Sequence, residues 1–273
     1  MLKRKIDPGV ALVTGASTGI GRATAKALKQ AGYRVFGTSR KALPSNSDGI
    51  TMLICDVTDD ASVKKLVGEV LEKAGRIDLL VNNAGIGLLG GAEESSVAQA
   101  KALFDVNVFG VVRMTNAILP VMRRQGQGRI INLSSIYGLV PAPFNALYAS
   151  TKHAIEGFSE SLDHEVRTQG IRVVLVEPGA TRTSFEESLT RADHPLQVYD
   201  TVRADAEKLM REIVESGDAP EVVAGMVVNA ANATAPKRRY TAGKVAGQVS
   251  FMRRFLPESF VDKNLRKFNR LPA

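Results

Sequence analysis

The sequence predicts an α/β fold in which a doubly wound parallel sheet of about seven strands carries helices on both faces. Three observations predict it. Apolar runs alternate with amphipathic stretches from Val10 to about Tyr240, the rhythm of repeated β-α units. These runs are continuous in their hydrophobicity, so both faces of the sheet must be covered. The first of them passes through a glycine-rich turn straight into a helical pattern, as the head of a β-α-β unit does.

In chain order, the apolar runs place strands at 10–14, 34–39, 50–56, 79–82, 129–134 and 172–177, with a weaker one at 239–241. Amphipathic stretches between them place helices at 19–30, 62–74, 97–124, 148–168 and 220–233. Residues 184–218 break the rhythm: they are polar, contain Pro195, and exceed an ordinary connection, so they read as a lid over a substrate site. No repeat or interdomain linker is visible, and the 273 residues are expected to form a single domain.

Composition narrows the class of function. A hydrophobic share of 44% and a charged share of 23% are those of a soluble globule. No spanning helix is expected, because no run of about 20 apolar residues occurs. Residues 1–9 hold Lys3, Arg4 and Lys5 but no apolar stretch of the secretory kind, and the expected location is cytoplasmic. Cys55, the one cysteine, lies in an apolar run and reads as a small core residue. Ten of the 36 Lys/Arg but only two of the 28 Asp/Glu lie from Pro236 onward, so the last 38 residues carry the whole net charge of +8. A neutral body with a basic C-terminal segment differs from a uniformly basic nucleic-acid binder, and no nucleic-acid partner is expected.

The turn after the first strand reads Thr14-Gly15-Ala16-Ser17-Thr18-Gly19-Ile20-Gly21. Glycines allow a tight turn and close backbone approach, and free N–H groups at the start of the helix attract a pyrophosphate, as in a dinucleotide-binding Rossmann fold. In NAD-binding folds an acid about 20 residues on binds the ribose 2′-hydroxyl. Here the second strand ends in Ser39-Arg40-Lys41. A guanidinium pairs with a 2′-phosphate that an acid would repel, so Ser39 and Arg40 point to NADP(H).

Further motifs follow in order: Asp56-Val57, Asn82-Asn83-Ala84-Gly85, Asn107, Ser135, Tyr148-Ala-Ser-Thr-Lys152, and Pro178-Gly179 with Thr183. With the glycine loop, this series resembles the short-chain dehydrogenase/reductase family over roughly residues 10–183. The resemblance implies an NADP(H)-dependent oxidoreductase moving hydride between nicotinamide and a carbonyl or secondary alcohol. It further implies that Asp56 and Val57 meet the adenine, and that Asn83, Ala84 and Gly85 line the ribose side. Lys152 and Tyr148 would meet the nicotinamide ribose, and Thr181 and Thr183, after Pro178-Gly179, would hold the carboxamide.

Tyr148 and Lys152 are four apart on one helix and share a face. An ammonium beside a phenol favours the phenolate, which is expected to let Tyr148 exchange a proton near neutral pH. Ser135 follows a strand at the carboxyl edge of the sheet, where its hydroxyl can orient a carbonyl oxygen. Ser134 is its rival, and the family's offset to the tyrosine selects Ser135. Asn107, a poor helix former inside a helix, can hold a water, and the resemblance implies that it completes a proton relay through the lysine.

His153, His164 and His194 have no metal-ligand spacing, and no metal is expected. The competing class is a catalytically silent NADP(H)-sensing regulator on the same fold, which would have no need of Asn107, Ser135, Tyr148 and Lys152 together. The stretches 138–145 and 157–161 resemble the hydroxysteroid and retinol dehydrogenase branch and imply an apolar substrate. Helices 97–124 and 148–168 look apolar on more than one face, from which a homodimer or homotetramer is expected. In the basic amphipathic segment 241–273, Phe251, Phe255, Phe260 and Phe268 interleave with Arg253, Arg254, Lys263, Arg266, Lys267 and Arg270, and Pro257 separates two short helices. Two roles stay open for it: packing on the body, or peripheral contact with an anionic membrane.

Overall fold

A computed structural model describes residues 9–42, 46–183 and 189–271. The first half runs β1 (Val10–Val13), α1 (Gly19–Gln30), β2 (Arg34–Ser39), β3 (Asn46–Ser47), β4 (Ile50–Ile54), α2 (Asp60–Ala74), β5 (Leu79–Asn82) and β6 (Leu88–Leu89). Next come α3 (Val97–Phe104), α4 (Gly110–Gln125), β7 (Gly128–Leu133), α5 (Ala146–Val166) and β8 (Ile171–Pro178). The chain ends in β9 (Thr190–Arg191), α6 (Asp200–Glu215), α7 (Pro220–Asn232), β10 (Arg239–Ala242), α8 (Lys244–Phe255) and α9 (Glu258–Phe268).

The main sheet has the order β10-β8-β7-β5-β1-β2-β4-β3, parallel throughout its first seven strands, with β3 antiparallel at the edge. Successive residues of a strand point to opposite faces, and each face here owns a core. Val10, Leu12, Phe36, Leu80, Ile130 and Val173 pack beneath α2, α4 and α5 with Leu66, Met114, Ile118 and Leu162. Ala11, Val13, Val35, Val81, Ile131, Val174 and Val176 pack beneath α1 and α7 with Leu28, Val223 and Val227. Strand order reverses at β1, whose neighbours are β2 and β5, and ligands of open α/β sheets bind at such a switch point.

Four expectations need correction. The helix expected at 97–124 is interrupted by a π turn at Asp105–Phe109, and the run Val97–Gln125 is long and apolar enough to cross a membrane. Half of its apolar window is buried, and Met114, Ile118, Leu119 and Met122 sit in the core, so here the run works as a core helix. The stretch read as a polar lid contains the sixteen-residue α6, and residues 184–188 lie outside the described residues. Helix α2 starts two residues early because Asp59 caps it, its Oδ1 accepting from the Ala61 amide at 2.9 Å.

One buried acid joins the end of α5 to β8. The Oδ1 of Asp163 accepts from Arg172 Nε and from the Val173 amide, both at 2.9 Å, and Arg167 reaches Oδ2. Burial opposes ionisation, but the bonds from Arg172, Val173 and Arg167 outweigh it and hold this carboxyl below its ordinary range. Its stabilising contribution is therefore present above the ordinary carboxylate pKa and is lost as pH falls through the lower folded value. Asp163→Ala should reduce the unfolding free energy in urea at pH 7 by about 2–4 kcal/mol, because it strands the buried Val173 amide and the half-buried Arg172 guanidinium. The gap to the parent protein should narrow on acidification, and a loss under about 1 kcal/mol at pH 7 would mean that the cluster is not a structural tie.

Candidate active site

The seam between β1 and β5 is closed by Thr14. Its hydroxyl accepts from the Asn83 and Ala84 amides at 2.9 and 3.0 Å, and the Asn83 amide nitrogen donates back to the Thr14 and Gly15 carbonyls at 2.9 and 3.1 Å. On the other side the Gly15 amide donates to Thr38 Oγ1 at 3.2 Å. Gly15 and Gly19 have φ of +64° and +52°, which favour glycine. A Cβ on Gly21 would lie 2.1 Å from the Gly15 carbonyl oxygen, so α1 meets the turn with no room for a side chain. Thr18 is the N-cap of α1 but makes no side-chain cap bond, and the first turn holds no acid. Ser17, Thr18, Gly19 and Ile20 keep accessible surface at this mouth. A cradle of amides without an anionic side chain fits a pyrophosphate.

At the carboxyl ends of β2 and β4, Ser39 is half-buried and Arg40 is exposed. Arg40 makes no ion pair among the described residues, although its charge reaches Asp56. The Asp56 carboxyl accepts from the Thr58 amide at 2.9 Å and its hydroxyl at 2.7 Å. These bonds, the amide first, hold its pKa below the ordinary value, with Arg40 and Arg113 helping. Val57 is buried against Gly110.

The π turn places Asn107 under the loop after β5. Its Oδ1 accepts from the Ile86 amide and its Nδ2 donates to the Ile86 carbonyl, both at 2.9 Å, with a 3.3 Å bond to Thr151 Oγ1. A Cβ on Gly85 would stand 3.3 Å from that Oδ1. The extra residue of a π turn re-aims one side chain without ending the helix.

Ser135, Tyr148 and Lys152 converge beyond the ends of β7 and β5. Ser135 caps a short 3₁₀ turn, with its Oγ accepting from the Tyr137 amide at 3.2 Å, and it is hydrogen-bonded to the Tyr148 phenol. Ser134, its rival in the sequence, is buried on the far side toward Glu156. The Lys152 ammonium lies 5.6 Å from the Tyr148 ring centroid and donates to the Leu133 carbonyl at 2.9 Å. Burial, with Tyr137 adding, pushes the Tyr148 phenol above its ordinary range, and the Ser135 bond opposes this. Burial also lowers Lys152 to about 8, with Glu156 opposing. The expected lowering of Tyr148 by Lys152 is therefore not found: desolvation dominates, and the ammonium is turned to a carbonyl.

Pro178 ends β8, and Gly179 leads to Thr181, whose hydroxyl donates to the Gly179 carbonyl at 3.2 Å. The half-buried Thr183 stands over the glycine turn, at 3.3 Å from where a Gly19 Cβ would be. The Tyr137 ring stands edge-on to that of Tyr148 with centroids 6.2 Å apart, and Tyr137 also lines a small cleft with Phe144, Val202, Leu209, Met210, Ile213 and Leu271. Helix α6 turns its apolar stripe to this cleft and buries no residue completely. Arg270 Nη2 pairs with Glu212 Oε2 at 2.7 Å and joins the C-terminal residues to the same helix. Sequence reading missed Thr14, Thr38 and Thr151, whose hydroxyls hold the site residues. The signals in the sequence were the place of Thr14 at the head of the glycine turn and of Thr151 between Tyr148 and Lys152.

The short chain dehydrogenase family profile matches residues 9–194. The chain is 42% identical over 184 residues to a 3-ketodihydrosphingosine reductase of Bacteroides thetaiotaomicron, covering 67% of this chain and 68% of that one. It is 36% identical to retinol dehydrogenase 8 of Bos taurus over 86% of this chain and 81% of that protein. A solved short-chain dehydrogenase from Streptomyces avermitilis superposes with a TM-score of 0.81 at 32% identity over 96% of both chains. Other structural relatives were solved with NAD or with NADP+ bound. Sheet order, glycine seam and profile agree: this chain belongs to the short-chain dehydrogenase family of oxidoreductases.

Proposed function

We propose that the protein is an NADP(H)-dependent reductase of an apolar ketone, or in reverse a dehydrogenase of the corresponding alcohol, with Tyr148 as the proton donor. The convergence of Ser135, Tyr148 and Lys152, with Tyr137 joining Tyr148 to a small cleft lined mainly by apolar residues, carries this reading. When bound, the nicotinamide supplies or accepts the hydride. The amides of residues 15–21 would hold the pyrophosphate of the cofactor, Asn83, Ala84, Gly85 and Lys152 its ribose side, and Thr181 and Thr183 its carboxamide. A buried phenol above its ordinary pKa is neutral at pH 7, the form that can give a proton to a developing alkoxide. Ser135 holds the same oxygen and fixes its approach. Lys152 and Asn107 lie behind, where a proton can be resupplied. Arg40, exposed and unpaired among the described residues, supports NADP(H) over NAD(H).

The mainly apolar lining supports an apolar substrate, as the activities for which the two relatives are named do. Four exposed phenylalanines on α8 and α9 (Phe251, Phe255, Phe260 and Phe268) stand among the basic residues that carry the net charge, and this favours peripheral attachment to an anionic membrane in which such a substrate dissolves. Exposed Val97 and Phe109, and small exposed residues of α5 such as Ala146, Ser150 and Gly157, support a homodimer or homotetramer, which light scattering reads directly.

Tyr148→Phe should bind NADPH yet lose roughly 10²–10⁴-fold in turnover, read by stopped-flow and steady-state kinetics. Turnover within a few fold of the parent would remove the proton-donor role and leave the nucleotide-sensing alternative. Arg40→Ala should weaken NADPH binding by about 1.5–3 kcal/mol, roughly ten- to a hundredfold, with little effect on NADH. Equal weakening of both would remove the basis for NADP(H). The protein should co-sediment with anionic liposomes at low salt, release at high salt, and lose binding on truncation after Tyr240. No binding at low salt would leave α8 and α9 as a cap on the cleft.

A further inference from the structure

Behind Lys152 lies an acidic cluster that the mechanism above does not use. Glu156 follows Lys152 by one turn of α5 and Glu160 by two, Glu177 is near the end of β8, and Arg239 opens the neighbouring strand β10. Arg239 is the only cation within ion-pair distance of all three carboxyls among the described residues. Its Nε stands 2.9 Å from Glu156 Oε2 and 3.0 Å from Glu177 Oε1, and its Nη1 stands 2.5 Å from Glu160 Oε1. Glu160 keeps about a third of its side chain in water, whereas Glu156 and Glu177 are 7% and 0% exposed.

The one Nε hydrogen cannot form a well-aligned bond to two carboxylates at once. It bonds to Glu156, and both oxygens of Glu177, with Glu156 Oε1 and Ser134 Oγ, are buried without a well-formed hydrogen bond. Two carboxyls that share one cation away from water do not both ionise at working pH, and they titrate as a pair.

We propose that Glu156 and Glu177 hold one proton between them against Arg239, and that the single negative charge left beside Lys152 keeps its ammonium charged for the reaction. This rests on the reading of Lys152 as part of the catalytic set, and it makes Glu156 a positioning residue acting through Lys152. The directions of titration agree. Burial raises Glu177 to about 7, with Glu156 adding and Arg239 opposing, and burial raises Glu156 as well. Glu156 is the group that lifts Lys152 against its burial. The groups facing the pair are Lys152 and Glu160 of α5, Ser134 after β7, and Arg239 of β10.

The test is the titration of the Lys152 side chain by NMR in the free protein, set beside the alkaline limb of the reduction profile. In E156Q the remaining charge moves to the more distant Glu177, so Lys152 should lose its proton at lower pH. In E177Q the charge is confined to Glu156, so Lys152 should keep its proton to higher pH, and the activity limb should move the same way in each variant. Lys152 titrating as in the parent in both variants, or shifting in one direction in both, overturns the proposal. If E156Q does not fold, E177Q decides alone, and an unchanged or lowered Lys152 titration in it overturns the proposal. Opposite Lys152 shifts without movement of the activity limb support the shared proton and contradict instead the assignment of Lys152 to catalysis.

Discussion

The Thr14 hydroxyl is the point on which the site depends. It leaves β1 and receives two amides from the loop after β5, so the two strands at the reversal of sheet order end in one hydrogen-bonded knot. The Asn83 amide ties the same knot to the Gly15 carbonyl, and that carbonyl leaves no space for a side chain on Gly21. Strand, turn and helix are thereby fixed at backbone distance. The open amides of α1 then face the crevice where a nucleotide of this family is expected to lie.

A second set of polar groups carries order across the sheet. Asn82 donates to Asn132 at 2.8 Å, Asn132 to Ser159 at 2.8 Å, and Ser159 to the Ile155 carbonyl at 2.6 Å. This ladder runs from β5 through β7 to α5, the helix that bears Tyr148 and Lys152. The links are buried, with only Asn82 Oδ1 among their side-chain polar atoms left without a partner, and they rigidify a site whose own groups must stay available to a ligand. More such atoms gather beside Arg239, where both Glu177 oxygens and Glu156 Oε1 are buried without a well-formed hydrogen bond although Arg239 Nε stands 3.0 Å from Glu177 Oε1. Such a departure from polar satisfaction is expected where titration rather than stability is the purpose.

Much of the fold was legible because apolar runs and glycine placement are local signals. β1, α1, β2 and β5 stand where the sequence put them, within a residue, and the motif residues around Tyr148 gather at one sheet edge. Helix α6 was not legible. Its stripe of Val202, Ala206, Leu209, Met210 and Ile213 has helical spacing, but nearly every residue between is charged, and Pro195 nearby reads as loop. The π turn at Asp105–Phe109 leaves no mark on the apolar period, because one extra residue is absorbed within a turn. The Thr14 knot and the Arg239 cluster join residues 69 and 83 positions apart, and no local pattern announces such pairs.

The central claim is that hydride passes directly between a nicotinamide held at this crevice and a carbonyl carbon beside Tyr148. It is tested by NADPH carrying deuterium at the transferable position of its ring, incubated with the protein and a series of apolar ketones. The account predicts an alcohol product with one deuterium on the former carbonyl carbon, from one face of the nicotinamide only. Tight NADPH binding with no labelled product from any ketone would contradict it and would favour a nucleotide-sensing protein built on the same fold.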